Sequence, residues 1–359
     1  MLYRKYRPQI FSQLVGQEHV VKTLEGALSS GRVGHAYLFT GPRGTGKTTM
    51  ARIFAKALNC VKFSEKGAVV PCNVCDACLA VNNNQSLDLI EIDAASNRGI
   101  DEIRALKESA QVSAPSGGYK VFLIDEVHML TKDSFNALLK ILEEPPAHVV
   151  FILATTEPHK ILATVLSRVQ RFDFKRLTPS EIVDKLKTVA KAEKIQIDDE
   201  ALFAIAKSSD GALRDAEVAL TKIRSMLPAG PIGEKEASQV LGLIPSSYHP
   251  KFLNSLVSGD QASAVALIHD IHDAGMDLEH FVKEFISYSR NVLLARVNPV
   301  LSASIQGAEL HIQLTSLSAI DNNKLISIIN AFTNARSQMK FSPIPQLPLE
   351  LAVMSLNTN

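Results

Sequence analysis

The run Gly41-Pro42-Arg43-Gly44-Thr45-Gly46-Lys47-Thr48 has the spacing GxxxxGKT. Glycines at these positions let successive backbone N–H groups converge on phosphate oxygens. The lysine then reaches the terminal phosphates of a nucleoside triphosphate, and the last hydroxyl can ligate Mg²⁺. Lys47 and Thr48 take those two parts, with Thr49 next in line at the start of a helical pattern. An apolar run, Ala36 to Thr40, precedes the loop. Strand before and helix N-terminus after is the context a phosphate cradle needs, because the helix end adds a favourable dipole. A glycine-rich turn without a ligand would not require both the lysine and the threonine.

A second polar pair closes another apolar run, where Val121-Phe122-Leu123-Ile124 lead into Asp125 and Glu126. Phosphoryl transfer depends mainly on positioning and charge stabilisation. Asp125 is therefore expected to hold Mg²⁺ through its water shell, and Glu126 to orient and polarise an attacking water. Capping of the next helix could account for Glu126 alone but not for the pair beside a phosphate loop. The two motifs together favour hydrolysis over binding alone.

All four cysteines, Cys60, Cys72, Cys75 and Cys78, fall in one stretch with the spacing C-x₁₁-C-x₂-C-x₂-C. Four thiolates around one tetrahedral Zn²⁺ suit this pattern, and with every position filled by sulfur the metal reads as structural. Four buried free thiols or a redox pair are the alternatives; the density of cysteines argues against the first, and the second lacks its usual context.

These groups need a scaffold. The apolar runs Ala36 to Thr40, Leu87 to Asp93, Lys120 to Asp125 and Val149 to Thr156 read as buried strands. Between them lie helical patterns such as Met50, Ile53, Phe54, Ala57, Leu58 and Phe135, Leu138, Leu139, Leu142. Strands alternating with helices predict a parallel sheet covered on both faces, with ligands at the carboxyl ends of the strands. After about Lys175 strand signals fade, and Thr178-Pro179-Ser180-Glu181 offers an N-cap, a first-turn proline and a capping-box glutamate. Gly211 is placed to end one helix and Ala212 to Met226 to form the next. From about Gly242 the chain is helical again, with breaks near Pro245 and at Ser342-Pro343-Ile344-Pro345.

Length and charge set bounds on this scheme. A chain of 359 residues is too long for one ordinary core. Lys+Arg at 38 against Asp+Glu at 37 exclude a molecule drawn to nucleic acid by its overall charge, so any such contact needs a local basic surface. No apolar run approaches the roughly 20 residues of a membrane helix, and Met1 to Phe11 lacks a signal-peptide core. A cytoplasmic protein is expected, with no membrane partner.

The motifs resemble those of the bacterial DNA polymerase III gamma/tau subunits, AAA+ clamp-loader ATPases. The resemblance runs through Tyr6-Arg7-Pro8, Val15-Gly16-Gln17-Glu18-His19, the phosphate loop, the cysteines and Asp125-Glu126-Val127-His128-Met129-Leu130. It continues through Leu142-Glu143-Glu144-Pro145-Pro146, Ser167-Arg168 and Leu213-Arg214-Asp215. It implies an α/β P-loop AAA+ domain with a parallel sheet over 1–176, carrying a zinc-binding insert at about 60–80. A small helical lid over 177–242 and a helical collar over 243–359 would follow. ATP, Mg²⁺ and Zn²⁺ are the implied cofactors. Partners would be other loader subunits in a pentameric ring, a sliding clamp and primer-template DNA.

Residue by residue, the resemblance makes Thr156 the sensor of the γ-phosphate or attacking water, with Thr155 its nearest competitor. It makes Arg168 the arginine given in trans to a neighbour's site, although the family's Ser-Arg-Cys is Ser-Arg-Val here. A surface salt bridge is the ordinary alternative for Arg168. Arg214 would be the lid arginine that touches the γ-phosphate, against an exposed pairing with Asp210 or Asp215. Tyr3, Arg7, Pro8, Leu14 and Val15 match the segment that packs on adenine, and Arg98 and Arg104 a segment turned toward DNA phosphates. Two other readings share parts of this pattern: a different AAA+ DNA machine such as a branch-migration motor, and a non-hydrolysing loader scaffold. The first leaves the cysteines unexplained, and the intact Lys47, Thr48, Asp125 and Glu126 oppose the second.

Overall fold

The four apolar runs become strands β1 (Ala36–Thr40), β2 (Leu89–Asp93), β3 (Lys120–Asp125) and β4 (Val149–Thr155) in the computed structural model. It describes residues 1–63, 71–115, 117–227, 230–242, 244, 247–298 and 321–356. A further strand, β5 (Gln170–Asp173), joins them, and the parallel sheet has the order β2-β3-β4-β1-β5. Its sequence, QRFD, holds one apolar residue, Phe172, and pairs on one side only, so no apolar run announces it.

Alternation along the strands feeds two cores, since successive side chains leave a strand on opposite faces. Ala36, Leu38, Phe122, Ile124 and Leu153 pack beneath α5 (Ile100–Gln111) and α6 (Lys132–Glu143). Tyr37, Phe39, Val121, Leu123 and Ile152 pack beneath α2 (Glu18–Ser30) and α3 (Lys47–Leu58). With β4 buried along its whole length, the polar groups at the strand ends stand on a rigid floor.

The chain divides into two compact units, Met1–Glu234 and Lys235–Asn359. Beyond the sheet, the first unit continues with α8 (Pro179–Glu193), α9 (Asp199–Ser208) and α10 (Leu213–Met226). The Thr178 hydroxyl accepts from the Glu181 N–H while the Glu181 carboxylate accepts from the Thr178 N–H at 2.7 Å, the capping box expected there. A short N-terminal helix, α1 (Leu2–Lys5), packs on α10. Two further short α-helices of this unit are α4 (Asp76–Asn82) and α7 (Ala163–Leu166).

Helix α11 (Glu234–Leu241) begins at the division. The second unit holds α12 (Tyr248–Ser258), α13 (Gln261–Asp273), α14 (Leu278–Val297), α15 (Asn322–Met339) and α16 (Leu347–Ser355). Phe252, Phe281, Phe285 and Phe332 meet edge-to-face at its centre, with ring centroids 4.8–5.4 Å apart. The break expected at Pro245 lies outside the described residues. Among the described residues no helix is long and apolar enough to cross a membrane.

Candidate functional site

The phosphate loop leaves β1 at Gly41, whose φ of 143° suits glycine; a Cβ there would come within 2.4 Å of the Phe174 carbonyl oxygen. Its N–H donates to the Thr155 carbonyl at 3.2 Å, fastening the loop to β4. Three residues on, Gly44 has φ 78°, and a Cβ would stand 2.8 Å from that of Ala212, just before α10. The loop is thus pressed between the sheet and the start of a helix from the helical part of the unit. Lys47 is 5% exposed and curls back so that its Nζ donates to the Gly41 and Pro42 carbonyls at 2.8 Å each. Burial pushes its pKa down, against the pull of Glu126 and Asp125.

The Thr48 hydroxyl donates to Asp125 Oδ2 at 2.7 Å, which joins the loop to the end of β3. Glu126 follows with φ 47° and ψ 45°, a left-handed conformation that costs a glutamate on the order of 1 kcal/mol or more. Its N–H is satisfied by Asp125 Oδ1 at 2.9 Å. The turn swings the side chain toward β4, where Glu126 Oε2 accepts from the Thr156 hydroxyl at 2.9 Å and from its N–H at 3.3 Å. Thr155 is fully buried and serves its neighbours instead: its hydroxyl accepts from the Glu157 N–H at 3.0 Å and lies 3.0 Å from His128 Nδ1. His128 has a side chain 6% exposed, with Nδ1 3.5 Å from Glu126 Oε2 and Nε2 3.4 Å from Glu157 Oε1. The sequence gives His128 no role of its own; its signal is its place in the run Asp125 to Leu130, two residues after Glu126.

Gly41, Pro42, Arg43, Glu126 and Thr156 open onto a cleft of about 620 Å³ whose far wall is Arg171, Asp173, Phe174 and Arg176. Arg171 and the Thr40 hydroxyl both donate to Asp173 Oδ1, and they hold its carboxyl below the usual range against the opposing effect of partial burial. This wall comes from β5 and its exit. Like that strand, it was not foreseen.

The N-terminal segment connects the helical part of the unit to the loop. The Arg214 guanidinium lies 4.9 Å from the centre of the Tyr3 ring, a cation–π contact, and Asp210 pairs instead with Arg176. Arg7 donates from Nε to Thr49 Oγ1 at 3.2 Å, and its own burial lowers its pKa. Pro8, Leu14 and Val15 are half-buried. Two bonds to backbone fix the nearby Gln17 side chain: Nε2 donates to the Lys175 carbonyl at 2.6 Å, and Oε1 accepts from the Lys175 N–H at 3.0 Å. Glu193 collects Lys5, Arg224 and Tyr6, whose hydrogen bonds pull its pKa down to about 2.

Three arginines lie apart from this cluster in their contacts. Arg168 donates to Glu143 Oε1 at 2.9 Å and to the Thr164 carbonyl at 2.8 Å, with its side chain 34% exposed. Arg98 bonds the Ala95 carbonyl and Arg104 pairs with Asp101, both exposed, before and within α5.

The four cysteines converge. Their sulfurs all lie within 4.8 Å of one another, Cys60 and Cys78 are buried, and none is in a disulfide. Metal–sulfur bonds of about 2.3 Å set tetrahedral edges of about 3.8 Å, and Cys72 and Cys78 already stand at 3.9 Å. Backbone N–H groups, that of Val74 first, pull the Cys72 thiol down to about 6, whereas burial pushes Cys60 and Cys78 up. This donor set fits a closed zinc site.

Comparison with known proteins agrees with this arrangement. The family described as "DNA polymerase III, delta subunit" matches residues 16–178, "DNA polymerase III clamp loader subunit, ATPase lid domain" matches 181–220, and "DNA polymerase III subunits gamma and tau domain III" matches 232–358. The chain is 42% identical over 358 residues to DNA polymerase III subunit tau of Bacillus subtilis, covering 99% of this chain and 62% of that protein. It is 40% identical over 300 residues to the Escherichia coli tau subunit, covering 83% of this chain and 46% of that one. The chain thus spans roughly half to three fifths of the length of these relatives. Among solved structures, a lysine-to-arginine mutant of Thermotoga maritima RuvB aligns with a TM-score of 0.50 at 21% identity, over 70% of this chain and 80% of that one. That likeness shows the AAA+ fold alone. Taken with relatives at about 40% identity, the consecutive family matches from residue 16 to 358 mean that the chain belongs to the DNA polymerase III gamma/tau family.

Proposed function

We propose that this chain is an ATP-hydrolysing motor subunit of a bacterial replicative clamp loader. It would work in the cytoplasm within a pentameric ring of loader subunits that places a sliding clamp on primer-template DNA. The observation that carries the reading is the meeting of Lys47, Thr48, Asp125, Glu126 and Thr156 at the ends of three adjacent strands. A triphosphate lying on the loop would draw Lys47 from the Gly41 and Pro42 carbonyls onto its terminal phosphates. Thr48 and Asp125 would hold Mg²⁺, which supplies charge neutralisation between the phosphates. Glu126 would then release Thr156 and orient the attacking water, while Thr156 senses the γ-phosphate.

Tyr3, Arg7, Pro8, Leu14 and Val15 would line the adenine side. Arg214 would exchange the Tyr3 ring for the γ-phosphate, so that ATP draws the lid helices onto the loop. Arg168 would leave Glu143 to complete a neighbour's site in trans, and Arg98 and Arg104 would touch DNA phosphates without reading sequence. Zn²⁺ on Cys60, Cys72, Cys75 and Cys78 would be structural. The outer side of α16 supports assembly through the collar: Leu347, Leu351 and Met354 are exposed at helical spacing, alongside Phe341 and Ile344.

The test is steady-state ATPase in a ring reconstituted with the other loader subunits, with and without clamp and primed DNA. Stimulation by clamp plus DNA is expected. Lys47→Ala should abolish nucleotide binding, and Arg168→Ala should preserve binding while removing turnover in the ring. Turnover indifferent to clamp and DNA would overturn the loader reading, and normal turnover by the Arg168 variant would overturn the trans role.

A further inference from the structure

Helix α3, which begins at the phosphate loop, carries two cations four residues apart, and both reach the cysteine segment. Arg52 donates to the Val81 carbonyl at 3.2 Å and also has a carboxylate partner, Glu91, at 3.2 Å. Lys56 has none among the described residues. It is 2% exposed, and its Nζ meets only two neutral amide oxygens, Asn73 Oδ1 at 2.5 Å and Asn82 Oδ1 at 2.7 Å. A buried ammonium without an opposite charge is costly, and a methionine would fill the same space without that cost.

Asn73 directly follows Cys72 and Asn82 lies four residues beyond Cys78, so the two amides that hold the ammonium bracket the cysteine segment. Asn73 links the two parties: its backbone is held at φ 60° directly after Cys72, while its side-chain oxygen accepts from Lys56. A divalent metal on four thiolates carries a net charge of −2, itself costly to bury. Each feature supplies the charge that the other lacks.

We propose that Lys56 is the built-in counter-ion of the four-cysteine centre, so that the bound metal and helix α3 stabilise one another. This rests on the metal reading given above and goes beyond it, because it assigns a residue outside the ligand set and predicts a loss confined to the metal-bound state. With metal, Lys56 offsets the charge on the thiolates. In the stripped protein no bound centre remains for Lys56 to offset, and only its two amide contacts are left among the described residues.

The experiment uses the full chain and compares wild type, Lys56→Met and Cys78→Ser. Zinc affinity is measured by competition with a chromophoric chelator, and thermal unfolding is followed in zinc-loaded and zinc-stripped protein. Partners around a metal's ligands commonly contribute 10- to 100-fold to affinity. Lys56→Met is therefore expected to weaken zinc binding by about that factor. In the stripped protein it should unfold no earlier than wild type. Zinc affinity within twofold of wild type, or equal destabilisation of loaded and stripped protein, would overturn the proposal, since amide contacts alone would be lost in both states. Failure of wild-type protein to bind one zinc, or cobalt uptake without thiolate charge-transfer absorption, would instead overturn the metal reading beneath it. Cys78→Ser calibrates the assay, because loss of a ligand must weaken binding under either outcome.

Discussion

Glu126 and Thr156 share a hydrogen bond of 2.9 Å, and the backbone around Glu126 is held left-handed to make it. Strain of this kind persists where surrounding structure imposes it and a function uses it. Glu126→Gln keeps the shape and a hydrogen-bonding oxygen but cannot accept a proton or bear full charge. Turnover should fall by about 10²- to 10⁴-fold with nucleotide affinity little changed. Thr156→Val removes one donor and should lower kcat by roughly 10- to 100-fold, again with little effect on affinity. Steady-state ATPase beside equilibrium binding of a fluorescent nucleotide separates the two, and a matched loss of affinity in either variant would contradict these roles. Lys47, Thr48, Asp125 and Glu126 were legible in sequence because their chemistry depends on short spacing within one loop or strand end. His128 and the Asp173 wall were not, since their partners come from other strands and register alone brings them together.

At the scale of elements, the loop–helix contact and the burial of α10 give two tests. Gly44→Ala would add a methyl at φ 78°, 2.8 Å from the Ala212 Cβ. Nucleotide affinity should drop at least tenfold, and Ala212→Gly should restore only part of it, because relief of the clash leaves the backbone strain. Full rescue would show that strain plays no part. On α10, Glu217 is 5% exposed, and burial raises its pKa to about 7, with Lys185 the opposing influence. A carboxyl raised in the folded state favours folding while protonated; that stability is fully present below its unfolded pKa of about 4.3 and is lost as pH rises through about 7. Glu217→Gln should therefore match wild type near pH 4.5 and exceed it by about 3 kcal/mol at pH 8, read from denaturant midpoints. Equal pH slopes would exclude Glu217 as the source. The buried strands and the Thr178 capping box were legible because hydrophobic runs and caps are local signals. Strand β5 was not, because an edge position lets a polar sequence pair.

For the whole molecule, the division at Glu234 and Lys235 separates the candidate chemistry from the phenylalanine-rich helical unit. Composition gave the length and the need for several cores, but not that the helices from Pro179 to Met226 share a unit with the sheet. That sharing rests on contacts far apart in sequence, such as Gln17 with Lys175, Gly44 with Ala212 and Tyr3 with Arg214. Every residue assigned here to nucleotide, from Tyr3 to Arg214, lies in the first unit. A ligand stabilises only the fold that binds it, by about 2.7 kcal/mol at a hundredfold excess over Kd. For a unit of this size that is a rise in Tm of roughly 5–10 °C. Calorimetry of the full chain should therefore show two transitions, with ATP and Mg²⁺ moving one and leaving the other in place. Lys47→Ala should abolish the shift, while Arg168→Ala should keep it, since an arginine acting on a neighbour contributes nothing to binding within its own chain. A shift of both transitions together would mean that nucleotide binding is coupled into the second unit, and one lost with Arg168 would place that residue in its own chain's site.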